Sequence, residues 1–148
     1  MIHAFKIIPR FDPAIDAMAM GPEDVAAYRD TGDVALVKLR EGETPTVYHC
    51  RGLRVSEMQS ARASTVEADV YTAAFARGVM RVEGLRSDDG SRRVWVRPDA
   101  ERPVSARELD QVFSAGDVFE VGAAIYGRSI LGKGRPAVWP QPATSRLA

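Results

Sequence analysis

An apolar stripe of helical period between residues 66 and 82 constrains the fold more than any other feature of this sequence. Its members recur on a 3.6-residue period, while most polar side chains lie off the stripe: Val66, Val70, Tyr71, Ala74, Phe75, Gly78, Val79 and Val82. Ser64 and Glu67 have the spacing of a capping box, which places the start of a helix near Thr65. Glycine is the usual residue just past a helix, so the helix is predicted to end around Glu83 and Gly84.

Short β-prone runs predict a small antiparallel sheet beside this central helix. Residues 34–40 and 46–51 are predicted as two strands of a hairpin, and residues 92–97 as a third strand. Residues 5–8 are interpreted as either a first strand or part of an extended arm within residues 1–20. Gly78 lies inside the predicted helix, where it indicates that another element crosses closely.

Four further helices are predicted from start signals. One begins at Pro22, a second is capped by Ser56, and a third follows the capping box of Ser105 and Glu108. A final helix is predicted for residues 117–131, with one face formed by Val118, Val121, Gly122, Ile125, Tyr126 and Ser129. Residues 85–90 are predicted as a turn.

These patterns predict a single α+β domain over residues 1–131, in which the central amphipathic helix packs with the sheet and with a C-terminal helical pair. A length of 148 residues suits one domain. Residues 132–148 are rich in proline and glycine, so they are predicted to form an extended or flexible tail.

Charge and cysteine content narrow the functional classes. Twenty Lys and Arg balance twenty Asp and Glu, so a nucleic-acid footprint is not indicated; residues 77–102 are mildly basic, but acidic residues are interleaved there. Cys50 is the only cysteine, which excludes an intrachain disulfide. The N-terminal residues do not resemble a signal peptide and no apolar run reaches the length of a membrane span, so we expect synthesis in the cytoplasm and no membrane association.

Residues that could carry chemistry are few. His49 and Cys50 are adjacent in a predicted strand, so their side chains point to opposite faces and are not expected to act as a pair. Asp88, Asp89 and Glu83 are candidate ligands for a hard cation, although Gly90 explains the acidic pair as a turn. Residues 132–134 lack the spacing of a phosphate loop. No catalytic residue, metal or cofactor is therefore predicted.

Trp139 is the aromatic residue that the sequence places outside the predicted domain. It stands between Val138 and Pro140, and a tryptophan in a proline-flanked segment is a suitable anchor for a groove, either in a partner or within its own domain. Tyr126 and Arg128, on the final helix, are predicted to contribute to the same partner-binding surface.

The order of these signals from residue 44 to residue 131 resembles a family of small tail-region proteins of tailed bacteriophages. The resemblance is carried by turn and packing motifs: Pro45, Thr46 and Val47; Arg77, Gly78 and Val79; Val82, Glu83 and Gly84; Asp88, Asp89 and Gly90; and residues 124–131. Members of the family are regarded as tail-assembly chaperones or minor virion proteins.

The resemblance implies a non-catalytic, chaperone-like protein that binds other phage tail or head–tail proteins. It places the protein in the host cytoplasm during assembly or in the virion, and it is compatible with a homo-oligomer. Two alternatives remain at this point: a structural head–tail connector or minor tail component, and a small metal-dependent enzyme that uses Asp88, Asp89 and Glu83.

Overall fold

The computed structural model describes residues 4–31, 34–63 and 66–131. In chain order its elements are β1 (Ala4–Ile7), α1 (Pro22–Thr31), a 3₁₀ turn (Val34–Leu36), β2 (Val47–Arg51), α2 (Val55–Arg62), α3 (Glu67–Gly78), β3 (Val79–Arg86), β4 (Arg92–Val96), α4 (Ala106–Val112) and α5 (Ala115–Leu131). This arrangement of helices with one small antiparallel sheet confirms the predicted single α+β domain. The predicted tail, residues 132–148, lies outside the described residues.

The four strands form one antiparallel sheet in the order β1–β2–β3–β4. One register row crosses the whole sheet: Ile7 lies opposite Tyr48, Tyr48 opposite Val82, and Val82 opposite Trp95. All four side chains are buried. Since side chains alternate between the faces of a strand, this row defines the side of the sheet that the helices cover.

Aromatic rings hold the helices onto this side of the sheet. The Phe113 ring, which directly follows α4, lies 5.0 Å from the rings of both Phe75 on α3 and Trp95 on β4, in edge-to-face geometry. Tyr48 on β2 contacts the same cluster, with its ring 5.9 Å from Phe75. Edge-to-face pairs of this kind add to the stabilisation from burial.

Helices α3 and α5 cross at very short range because glycine stands at two of their contacts. A Cβ on Gly122 would overlap the carbonyl oxygen of Tyr71, and a Cβ on Gly78 would lie 2.6 Å from Ile125 Cγ2. The close approach predicted at Gly78 is therefore confirmed. The glycine stands at the last residue of α3 rather than in the middle of a longer helix.

The predicted C-terminal half of the central helix is wrong. Helix α3 ends at Gly78, and β3 starts at once with Val79. Two register shifts mark bulges, one opposite His49 and Cys50 and one between Val82 and Leu85. Each bulge inserts an extra residue into β3, so Val79, Val82 and Leu85 are buried at a spacing of three. That spacing imitates a helical stripe.

The predicted hairpin is also wrong in its first strand. Residues 34–36 form a 3₁₀ turn, and Leu39 makes only an isolated bridge with Ile15. The second strand is confirmed as β2, but both of its edges are taken by β1 and β3, which leaves no place for residues 34–40. For residues 5–8, the strand alternative is confirmed by β1.

The remaining predicted elements are confirmed with small shifts. The structure contains α1, α2, α4, α5 and β4, and Ser105 Oγ accepts a hydrogen bond from Glu108 N at the start of α4. The predicted Ser56 cap is wrong, because α2 begins at Val55 after Arg54. The Ser64 capping box lies outside the described residues. Helix α3 starts at Glu67, near the predicted position.

Substitution of Gly122 by alanine tests the α3–α5 contact. The added methyl group meets the backbone of Tyr71, which cannot rotate away, so we expect Gly122→Ala to lower the free energy of unfolding by about 1–3 kcal/mol. Urea denaturation at neutral pH measures the effect.

Gly116→Ala, in the first turn of the same helix, is the matched control. A Cβ at Gly116 has no neighbour within 4 Å, and alanine has the higher helix propensity. We expect unchanged or slightly raised stability. Equal stability of the two variants would contradict the close crossing.

Candidate functional site

An open groove of about 810 Å³ lies between residues 9–13 and the first turns of α5. It combines carboxylates with apolar walls: its lining includes Asp12, Asp117, Glu120, Tyr71, Val112 and Ala123. Two phenylalanines also line it and remain accessible, since Phe11 is 88% and Phe119 44% exposed. The groove is the candidate functional site.

Asp12 is held in place by the backbone around it. The turn that follows Pro9 positions it, with Asp12 N donating to the Pro9 carbonyl at 3.0 Å. Its carboxylate accepts hydrogen bonds from Ala14 N and Thr46 N, both at 2.9 Å. Arg86 Nη2 lies 3.8 Å from the same carboxylate. Asp12 therefore fastens the N-terminal segment to the start of β2.

Asp117 lies in the first turn of α5 and faces the buried tyrosine of β2. Tyr48 donates its hydroxyl hydrogen to Asp117 Oδ2 at 2.7 Å. Burial raises the pKa of Asp117 and the Tyr48 hydrogen bond opposes this, while the charge of Asp12 raises the pKa further. Burial and the Asp117 carboxylate likewise raise the pKa of Tyr48.

Glu120 stands one turn further along α5 and bonds to the N-terminal segment. Its Oε2 accepts a hydrogen bond from Arg10 N at 2.6 Å and lies 3.7 Å from Arg10 Nε. Burial raises the pKa of Glu120, and the contacts with Arg10 oppose that shift. Hydrogen bonds from Arg10 N to Glu120 and from Thr46 N to Asp12 thus tie residues 9–13 to α5 and to the start of β2.

The geometry favours binding at this groove. Two of its carboxylates are occupied by backbone amides and arginines, and the third bonds to a tyrosine hydroxyl, while accessible phenylalanine rings border the opening. Apolar walls with a few fixed polar groups are typical of ligand and peptide sites. Across the described ranges, no group of three or more His, Cys, Asp and Glu side chains is placed to hold a metal ion.

Two of the acidic residues that the sequence offered as cation ligands, Asp89 and Glu83, contact other groups. Asp89 Oδ1 accepts from Ser91 N at 2.9 Å and from Ser91 Oγ at 2.6 Å, and Gly90 adopts a φ of 84°. This confirms the turn at residues 88–90, whereas residues 85 and 86 of the predicted range belong to β3. Glu83 lies on β3, where its Oε1 is 2.6 Å from His49 Nε2 and 3.3 Å from Arg81 Nη2.

His49 and Cys50 lie on opposite faces of β2, as the strand prediction requires. Cys50 is buried in the core, where burial raises the pKa of its thiol, and Sγ lies 3.7 Å from the Tyr48 carbonyl oxygen. His49 contacts Glu83 on the other face. The two side chains do not form a thiolate–imidazole pair.

The predicted partner-binding residues fall into two groups. Tyr126 packs edge-to-face on Tyr71, and the Arg128 guanidinium lies 4.5 Å above the Phe5 ring, so both are engaged within the fold. Val138, Trp139 and Pro140 lie outside the described residues. On α5 the more accessible apolar residues are Phe119 and Ile130.

Strand β4 presents an open sheet edge that sequence reasoning did not single out as a site. Among the described residues β4 pairs only with β3, and Arg97 N donates to the Met80 carbonyl at 3.0 Å. Backbone groups alternate along an antiparallel ladder, so those of Val94 and Val96 face away from β3. Both valine side chains are also exposed, at 56% and 63%. The alternation of Val94, Trp95 and Val96 was the available signal.

Comparison of the chain with family models, with curated proteins and with solved structures gives no match. In the part of the chain that the structure describes, no helix has both the length and the apolar character needed to cross a membrane.

The pKa shift of Asp117 leads to a pH-dependent prediction. Because the folded-state pKa is raised above 3.8, the proton is bound more tightly in the folded protein, and the associated stability is lost as pH rises through the folded pKa. Asp117→Asn keeps an acceptor for Tyr48 without ionising. We expect the stability of Asp117→Asn relative to wild type to increase as pH rises above about 4, measured by urea unfolding at a series of pH values.

Tyr48→Phe tests the same contact from the other side. Removing the hydroxyl deprives the Asp117 carboxylate of its donor, so we expect a loss of about 1–3 kcal/mol that is larger at neutral than at acidic pH. Tyr126→Phe keeps its ring contact with Tyr71 and serves as the matched control, with a smaller loss. A Tyr48→Phe loss that is the same at both pH values would contradict the assigned contact.

Proposed function

We propose that the protein is a non-catalytic assembly or virion protein of a tailed bacteriophage, which binds other tail or head–tail proteins. The observation that carries a binding role is the open edge of β4, where Val94 and Val96 expose both backbone groups and side chains. Addition of a partner strand to such an edge is a common mode of protein recognition, with backbone hydrogen bonds giving affinity and side chains giving specificity.

The phage context is supported by the motifs that carry the family resemblance. Gly78 lies at the α3–α5 contact, Gly84 has a φ of 68° in the bulged part of β3, and Gly90 closes the turn before β4. Residues 124–131 form the last turns of α5. These motifs thus occupy positions that shape the scaffold, and the phage context of the proposal depends on the resemblance that they carry.

Two roles within this class differ in whether the protein remains in the finished particle. A tail-assembly chaperone leaves its partner before the particle is complete, whereas a head–tail connector or minor tail component remains in it. In either role the open edge of β4 is the surface that binds the partner.

Co-expression with the tail-tube and tape-measure proteins of the same phage tests the class. We expect a stable complex that survives size-exclusion chromatography, because the β4 edge is covered on binding. A monodisperse monomer with no phage protein bound would contradict the proposal. Mass spectrometry of purified particles then separates the two roles, since only a virion component is retained.

Val94→Pro tests the sheet edge within that complex. Proline removes the outward-facing N–H, which an edge strand does not need for its own sheet, and we expect affinity for the partner to fall about tenfold. Val94→Thr keeps the N–H and the branched side chain and is the matched control. Circular dichroism verifies that both variants fold. Equal affinity of the two variants would place the partner elsewhere.

A further inference from the structure

The groove continues along α5 as a stripe of apolar side chains. Phe119, Ala123, Tyr126 and Ile130 follow one another at spacings of four, three and four residues, which places them on one face of the helix. Phe119 and Ala123 line the groove, and Ile130 is 54% exposed at the other end. The stripe therefore leads from the groove to the end of α5; it is exposed at Phe119 and Ile130 and covered between them, where Ala123 is 4% exposed and Tyr126 packs on Tyr71.

The groove also offers a favourable position for positive charge. Arg10 contacts Glu120, and Arg86 contacts Asp12. The Asp117 carboxylate instead accepts hydrogen bonds from hydroxyl groups, including that of Tyr48 at 2.7 Å. Asp117 is half-buried beside a second carboxylate, so a cation from outside would be attracted to this end of the groove.

The chain itself contains a segment of matching chemistry. Residues 132–148 carry three basic side chains, Lys133, Arg135 and Arg146, and no acidic one. The same segment holds Trp139, a large aromatic side chain suited to an apolar groove. The positive charge of the segment thus complements Asp117, and its tryptophan side chain complements the phenylalanine rings.

The segment is long enough to reach the groove from the end of α5. Phe119 and Leu131 are separated by twelve residues of helix, or about 18 Å at 1.5 Å per residue. From Leu131 to Trp139 there are eight residues, which span up to about 26 Å when extended. Trp139 can therefore reach Phe119 along the apolar stripe.

We propose that this groove is the docking site for residues 132–148 of the same chain, with Trp139 packed against Phe119 and Phe11. The segment runs back along α5 and covers the exposed part of the apolar stripe.

Tryptophan fluorescence of the full-length protein tests this docking. The sequence has two tryptophans, and Trp95 is buried, so subtracting the signal of Trp139→Phe from that of the wild type isolates Trp139. We expect the emission of Trp139 to be blue-shifted relative to a synthetic peptide of residues 132–148. We also expect acrylamide to quench Trp139 at least about threefold less than it quenches the peptide, because a groove covers most of a bound side chain. Quenching equal to that of the peptide would overturn the proposal.

Groove variants identify where Trp139 is protected. For Phe119→Ala and Phe11→Ser, the signal of Trp139 is again isolated by subtracting that of the same variant with Trp139→Phe added. We expect acrylamide quenching of Trp139 to rise by about threefold in each variant, towards the value of the peptide. Met18→Ala is the control, since Met18 is 94% exposed and does not line the groove. If the groove variants and the control behave alike, Trp139 docks elsewhere and the assignment fails.

Dilution separates docking within one chain from docking between copies. Protection within one chain does not depend on protein concentration, whereas protection by a second copy is lost on dilution. Loss of protection on dilution would overturn the proposal in favour of an exchanged segment. This outcome is independent of the proposed phage function, because no partner protein is present in the measurement.

Discussion

The crossing of α3 over α5 is the contact on which the rest of the structure depends. Gly122 lets the second helix approach the backbone of Tyr71, and Gly78 makes room for Ile125 at the end of the first. At this separation, α5 lies close enough to the sheet for Asp117 to reach the hydroxyl of Tyr48. Tyr71, which packs on Gly122, also lines the groove, so core packing and the geometry of the candidate site are coupled.

The sequence predicted the fold class and most helices because those features have local signals. Capping by Ser105, proline at the start of α1 and the apolar face of α5 all act within a few residues. Strand β3 was missed since two bulges give it a burial period of three in place of two. Gly84 was predicted to follow the end of a helix. It does adopt a left-handed backbone conformation, but it does so in a bulge of β3.

The groove could not be predicted in the same way. Asp12 and Thr46 come from loops, Tyr48 from β2, and Asp117 from α5, and the Tyr48–Asp117 bond alone joins residues 69 apart. No local pattern marks such a set, because its members share a site only after the sheet and helices have packed. Contacts within the fold are equally hidden from local pattern. Tyr126 and Arg128 were predicted to bind a partner because of their place on the final helix, and in the structure they contact Tyr71 and Phe5.

Strand β4 carries both charged and apolar residues along its open edge. Arg92 and Arg93 stand at its start, and charged side chains on an edge strand oppose the approach of a like-charged strand. Val94 and Val96 stay accessible beyond them. A partner strand that places acidic residues opposite the two arginines would satisfy both features, whereas a second copy in parallel register would bring arginines together. The edge thus combines a positively charged start with an apolar centre.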